Sequence, residues 1–184
     1  YNLSNMKMTP EHKRKLQEAR KLYQQKRTEL VKQKIGELKI EGINEIDALS
    51  VRDLFIAGVA LYWAEGFKHK DESRLGLATS DPRMAKFYIA WLPKCLSISN
   101  HQLALKVTAN ISHQNRIKEI EKYWSDYLDI PFAQFTKPFF QKEKWHKEFA
   151  NPNNYHGVIR IHVSKSLDLL RKMRGWLEGL KTNI

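Results

Sequence analysis

The chain has 184 residues, 42% apolar and 11% aromatic, enough to bury the core of one ordinary domain plus a modest extension. Thirty-two Lys and Arg against twenty Asp and Glu leave a net charge of +12, which favours a polyanionic partner, nucleic acid ahead of anionic membrane. No apolar run reaches the roughly 20 residues that cross a bilayer, no signal-peptide succession is found, and the lone Cys95 excludes an internal disulfide, so the expectation is a soluble, cytoplasmic, nucleoid-associated protein with no membrane partner.

The first predicted element is a basic helix over residues 11 to 39. Thr9 is placed to cap it, Pro10 suits its first position, and Lys13, Arg14, Lys15, Arg20, Lys21, Lys26, Arg27, Lys32, Lys34 and Lys39 face only four glutamates. Leu16, Ala19, Leu22, Tyr23, Leu30 and Val31 recur at three- and four-residue intervals as a narrow stripe expected to pack on something. Two uses stay open: a helix docked on the domain, or an arm tracking phosphates. Gly42, Asn44, Glu45 and Asp47 predict a linker near residues 40 to 49, dividing the chain into an arm at 1–49 and a domain at 50–184.

Ser50 and Asp53 form a capping-box pattern ahead of a helix predicted from Val51 to Ala64. Apolar residues lie nearly all round it, which predicts burial on more than one side. Ala57, Ala60 and Ala64 line one face with methyl groups, Gly58 adds a gap, and such a strip admits a second helix closely. The helix stops at Glu65-Gly66, with Gly66 suited to a left-handed cap. A carboxylate at the negative end of a helix dipole costs about 0.3–1 kcal/mol, so something must compensate, and a bound cation is one candidate.

A hairpin is predicted through residues 66 to 70 into a strand, "SRLGLATS". Asp81-Pro82 opens the next helix. "QLALKVTANI" alternates as a strand, residues 115 to 130 form an amphipathic helix, "FAQFTKPFF" and "HGVIRIHVS" read as two strands, and Ser166 caps a last helix. The fold class expected is α+β. In a half-buried antiparallel sheet, the outward residues would include Lys68, Lys70, Arg74, Lys106, Lys137, Lys142, Arg160 and His162, a basic set suited to a DNA major groove. His156, His162 and His146 match no zinc spacing, and Gly-rich phosphate loops and a GxSxG elbow are missing from the sequence.

Gly58-Val59-Ala60-Leu61-Tyr62-Trp63-Ala64-Glu65-Gly66 resembles the nine-residue motif of the LAGLIDADG homing endonucleases, best at Ala64-Glu65-Gly66, with Gly58 and Trp63 as departures. The element order is similar to that family's αββαββα core with one inserted helix, over about residues 50 to 181. The resemblance implies a homodimer packed through Ala57, Gly58, Ala60, Leu61 and Ala64, reading a palindromic site in double-stranded DNA. It also implies Mg²⁺ held at Glu65 and Gly66 of each copy for phosphodiester hydrolysis, with Lys165 as the basic-pocket lysine. A non-cleaving transcriptional regulator derived from the same fold is the alternative, and an RNA-binding maturase or ribosome-associated protein is a third reading.

Overall fold

A computed structural model describes residues 9–142 and 154–182. Its chain divides into two compact units, Tyr1–Leu49 and Ser50–Ile184.

The first unit is one helix, α1 (Pro10–Ile46), begun by the Thr9 hydroxyl accepting from the His12 amide. It runs on where the sequence predicts a linker and ends at Asp47, whose positive φ of 49° and amide bond to the Ile43 carbonyl form the cap. Gly36 and Gly42 cost only about 1 kcal/mol each relative to alanine, too little to break a helix carrying ion pairs such as Lys15–Glu11 and Arg14–Glu18 along its flank. No residue of α1 is buried, so the apolar stripe expected to be covered stands open at Leu22, Tyr23, Leu30 and Val31.

The second unit is α+β. Its elements are α2 (Val51–Glu65), β1 (Gly76–Thr79), α3 (Pro82–Leu96), β2 (Leu103–Asn110), α4 (Ile117–Leu128), β3 (Phe139–Gln141), β4 (Val158–Val163) and α5 (Leu167–Thr182). The caps follow the sequence: Ser50 and Asp53 close both bonds of a capping box, and Asp81 accepts from the Arg83 amide ahead of Pro82. The inserted helix starts later than expected, after a 3₁₀ stretch at Ile111–Arg116.

The four strands lie in the order β1-β4-β2-β3. β4 pairs antiparallel with both neighbours, Leu77 and Leu105 each opposite Ile161. β3 runs parallel to β2, which corrects the all-antiparallel expectation. The segment between them carries α4 across the fold and returns the chain to the same edge pointing the same way, as parallel pairing requires. Pro131 and Pro138 confine β3 to three residues, so most of the strand expected from residue 132 is a 3₁₀ turn and the single Leu105–Phe135 bridge. The hairpin expected after α2 is likewise reduced to one bridge, Gly66 with Leu77, and one bond from the Phe67 amide to the Gly76 carbonyl at 2.9 Å.

One face of the sheet supplies Leu77, Leu103, Leu105, Val107, Ile159, Ile161 and Val163 to the core, where they meet Val59 and Tyr62 of α2, Tyr88, Trp91 and Leu92 of α3, and Leu170 and Met173 of α5. α2 is therefore buried along one side only, at Gly58, Val59 and Tyr62, and not nearly all round. Gly58 meets its own chain: a Cβ there would lie 2.0 Å from the Trp91 indole, so the gap expected to admit a second molecule is filled by α3. Replacing Gly58 with Ala is expected to cost about 1–3 kcal/mol through overpacking against a buried indole. Gly175→Ala, in a helical position where a Cβ meets nothing within 4 Å, should instead add about 0.5–1 kcal/mol. Urea unfolding of the two variants measures both.

Candidate nucleic-acid interface

The first candidate locus is the end of α2. Gly66 is extended, with φ −69° and ψ 154°, and forms no left-handed cap. Glycine is needed there for space, since a Cβ would come within 2.5 Å of the Tyr62 ring and carbonyl. The Tyr62 hydroxyl donates to the Phe67 carbonyl, and burial pushes that phenol up to about 12. The carbonyls of Trp63 and Ala64 accept from the Lys68 ammonium, the latter at 3.2 Å, so the negative end of the helix is met by a lysine of its own chain. Lys68 thus works as a cap and does not belong to the outward row of the sheet.

Glu65 is exposed and joins no hydrogen bond or ion pair among the described residues. Lys165 is also exposed, in the turn after β4 with a positive φ of 51°, and no described contact brings it to Glu65. A hard divalent cation takes about six oxygen ligands. One chain offers a single carboxylate here, two neighbouring carbonyls are occupied by Lys68, and no group of three His, Cys, Asp or Glu side chains among the described residues could hold a metal ion.

The second locus is the face of the sheet turned away from the helices. The two-residue pleat that buries Ile159, Ile161 and Val163 turns Arg160 and His162 outward, and the same pleat on β2 turns out Ala104 and Lys106. In register, Lys106 lies directly opposite Arg160, and His162 lies between Gly76 and Ala104. Arg74 reaches this face from the segment before β1, which is tied to β4 by a buried serine: the Ser166 hydroxyl accepts from the Leu75 amide at 2.8 Å and donates to the Val163 carbonyl at 2.7 Å. α5 begins directly after Ser166, whose carbonyl accepts from the Leu170 amide, while its hydroxyl, expected to cap the helix, ties β4 to the segment before β1.

Phe67 completes the cluster. Its ring stacks on the His162 imidazole at 4.7 Å and 22°, and the Arg160 guanidinium lies over it at 4.5 Å. Gly76 makes room, because a Cβ there would stand 2.3 Å from the Ile161 carbonyl and 3.1 Å from the Phe67 ring. Burial, with the charges of Arg74, Arg160 and Lys106, holds the His162 imidazole down at about 4. None of the four basic groups has a carboxylate within ion-pairing distance among the described residues.

Of the eight residues expected on the outward face, Lys106, Arg160 and His162 stand on strands and Arg74 joins them from its loop. Lys70 is exposed in the turn after α2, while Lys137 and Lys142 are exposed on either side of β3. On α2, Ala60 and Ala64 are exposed, Ala57 and Leu61 are half-buried, and Gly58 is covered, so the strip open to a partner is narrower than the five residues expected. His146 lies outside the described residues. Sequence reasoning misses Phe67 because no alternating pattern marks it, and Gly76 because it stands in the predicted strand without a side chain to mark it. Against models of protein families, curated proteins and solved structures, the chain finds no match. No helix among the described residues is long and apolar enough to cross a membrane.

His162 gives the fold a pH dependence of definite sign. Its folded value near 4 lies below the ordinary 6.5, so the unfolded chain binds the proton more readily. The stability tied to the neutral imidazole is full above about pH 6.5 and is lost as pH falls towards 4. His162→Gln should flatten this acid limb between pH 7 and pH 5, read as the change in urea midpoint beside the native protein.

Proposed function

We propose that the chain binds double-stranded DNA as a homodimer of LAGLIDADG type, with the polar face of the sheet laid along the major groove and α2 as the dimer helix. The observation that carries the reading is Lys106 directly across from Arg160, with the Arg74 charge acting on the same cluster and no acid paired with them among the described residues. Like charges opposed across two strands destabilise a sheet. A polyanion removes that penalty and gains two adjacent donors for phosphate oxygens or guanine edges.

Three further features support the family reading. The order of α2, the Gly66 bridge, β1, α3, β2, β4 and α5 corresponds to αββαββα, with α4 and β3 inserted. The end of α2 keeps Ala64-Glu65-Gly66. Ala60 and Ala64 leave a methyl-lined strip exposed on the side of α2 away from the core, suited to a self-complementary twofold contact.

Lys106→Ala and Arg160→Ala should each weaken binding to a duplex selected from a randomised library, and reduce the slope of log affinity against log salt by about 0.9 for every phosphate left without its cation. Unchanged affinity and slope in both variants would remove the sheet face from the interface.

Metal-dependent cleavage is a second reading, favoured by Glu65, an acid left exposed and unpaired at the end of the dimer helix. A Glu65 from another copy would add a second carboxylate, with water and phosphate oxygens completing the shell of a divalent cation. Glu65→Gln should retain binding to the selected duplex and abolish any Mg²⁺-dependent cutting, read on a gel. Native protein that binds and never cuts is the regulator of the alternative reading; a variant that cuts as well as the native protein removes Glu65 from catalysis.

A further inference from the structure

His162 is an unusual choice for a face that holds phosphates. Three cations converge on it from three segments: Arg160 on its own strand, Lys106 diagonally across on β2, and Arg74 from the loop before β1. Phe67 covers the ring from the segment after α2 and brings no charge, and its register partners Gly76 and Ala104 are apolar. The imidazole is half-buried, stacked at 4.7 Å, and surrounded by positive charge with no carboxylate among the described residues paired to offset it. A phosphodiester placed on this cluster sets one negative charge against three positive ones and so lowers the positive field at the ring. A proton on the imidazole is then opposed less, and it would turn a ring nitrogen from acceptor to donor.

We propose that Arg74, Lys106, Arg160 and His162 form a proton-coupled phosphate site, in which a DNA phosphodiester seated between Arg160 and Lys106 draws one proton from solvent onto His162. This rests on the reading of the sheet face as a DNA surface. The Phe67 ring, held close by Gly76, keeps the imidazole in place and shields it from water, so the change of charge is coupled to the occupant of the site more than to bulk solvent. The free protein has the lower affinity for the proton and the complex the higher one. Between these two values binding takes up as much as one proton per chain, and affinity rises as pH falls, by at most about tenfold per pH unit per site.

The test uses the full chain and a duplex selected for binding, at constant ionic strength. The dissociation constant is measured from pH 8 to pH 5, and calorimetry in two buffers of different ionisation heat counts the protons taken up. The expected result is a constant that falls several-fold per unit below about pH 7 with measurable proton uptake, and a His162→Gln variant in which both are lost. Native protein that binds the duplex with no uptake and no pH dependence overturns the proposal while leaving DNA binding intact, as does a variant with the native slope. Native protein that binds no duplex at any pH fails at the DNA reading itself.

The resonance of the His162 ring, followed by NMR in the native protein, needs no variant that must fold. Its titration should move to higher pH when duplex is added, and an unmoved titration overturns the proposal. Inorganic phosphate at millimolar concentration is the comparison. An equal shift with phosphate alone assigns the site to the free anion and overturns its assignment to DNA.

Discussion

The register of β4 is the constraint on which the rest of the domain depends. This strand is paired on both sides, and its pleat sends Ile159, Ile161 and Val163 into the core while Arg160 and His162 face outward. A slip of one residue would exchange these sets, burying a guanidinium and exposing three large aliphatic side chains. Burying an unpaired charge costs several kcal/mol, so the register is held by the core and the surface together. Ser166 fixes it at one end, through bonds to the Val163 carbonyl and the Leu75 amide that also bring Arg74 to the same face. The positively charged cluster is thus a by-product of the contact that closes the core.

The two concentrations of charge in the domain are resolved in opposite ways. At the end of α2 the exposed carbonyls and Glu65 make a negative terminus, and Lys68 folds back on the carbonyls of Trp63 and Ala64. Lys181 lies 6.0 Å over the Trp63 ring beside them. On the sheet, by contrast, Lys106 opposes Arg160 with no described residue to neutralise either, at a cost of roughly 0.2–1 kcal/mol for a like-charged cross-strand pair. The chain has acids available, and uses them elsewhere: Glu119 on Arg116, Asp126 on Lys122, Asp168 on Arg171. An uncompensated pair beside such ordinary ion pairs is the feature on which the proposed polyanionic partner rests.

Much of this is legible in the sequence because it depends on local rules. Ser50 with Asp53, Asp81 with Pro82, and the alternation in β2 and β4 each specify their element within a few residues, and the outward positions of Lys106, Arg160 and His162 follow from period two. The parts that are not legible depend on distant chain. The direction of β3 is set by the crossover through α4. At Gly66 the sequence suggests a dihedral requirement, whereas Tyr62 imposes a steric one. At Gly58 it suggests an opening for another molecule, whereas Trp91 fills the gap from a helix that begins twenty-four residues later. Phe67 has no periodic neighbour to mark it, since its role comes from lying flat across Gly76 onto a strand nearly a hundred residues away.

The acid at the end of α2 then carries less weight for cleavage than its motif suggests. A carboxylate at the negative terminus of a helix needs a cation nearby, and a metal ion would serve. Lys68 already supplies a positive charge at that terminus, so the place of Glu65 does not by itself call for a metal. The proposed DNA binding, in contrast, draws on Lys106, Arg160 and Arg74, which have no compensating group among the described residues. The two proposed activities are therefore separable: loss of the Glu65 charge would leave the sheet face unchanged, and loss of the sheet's cations would remove the substrate on which any cutting depends.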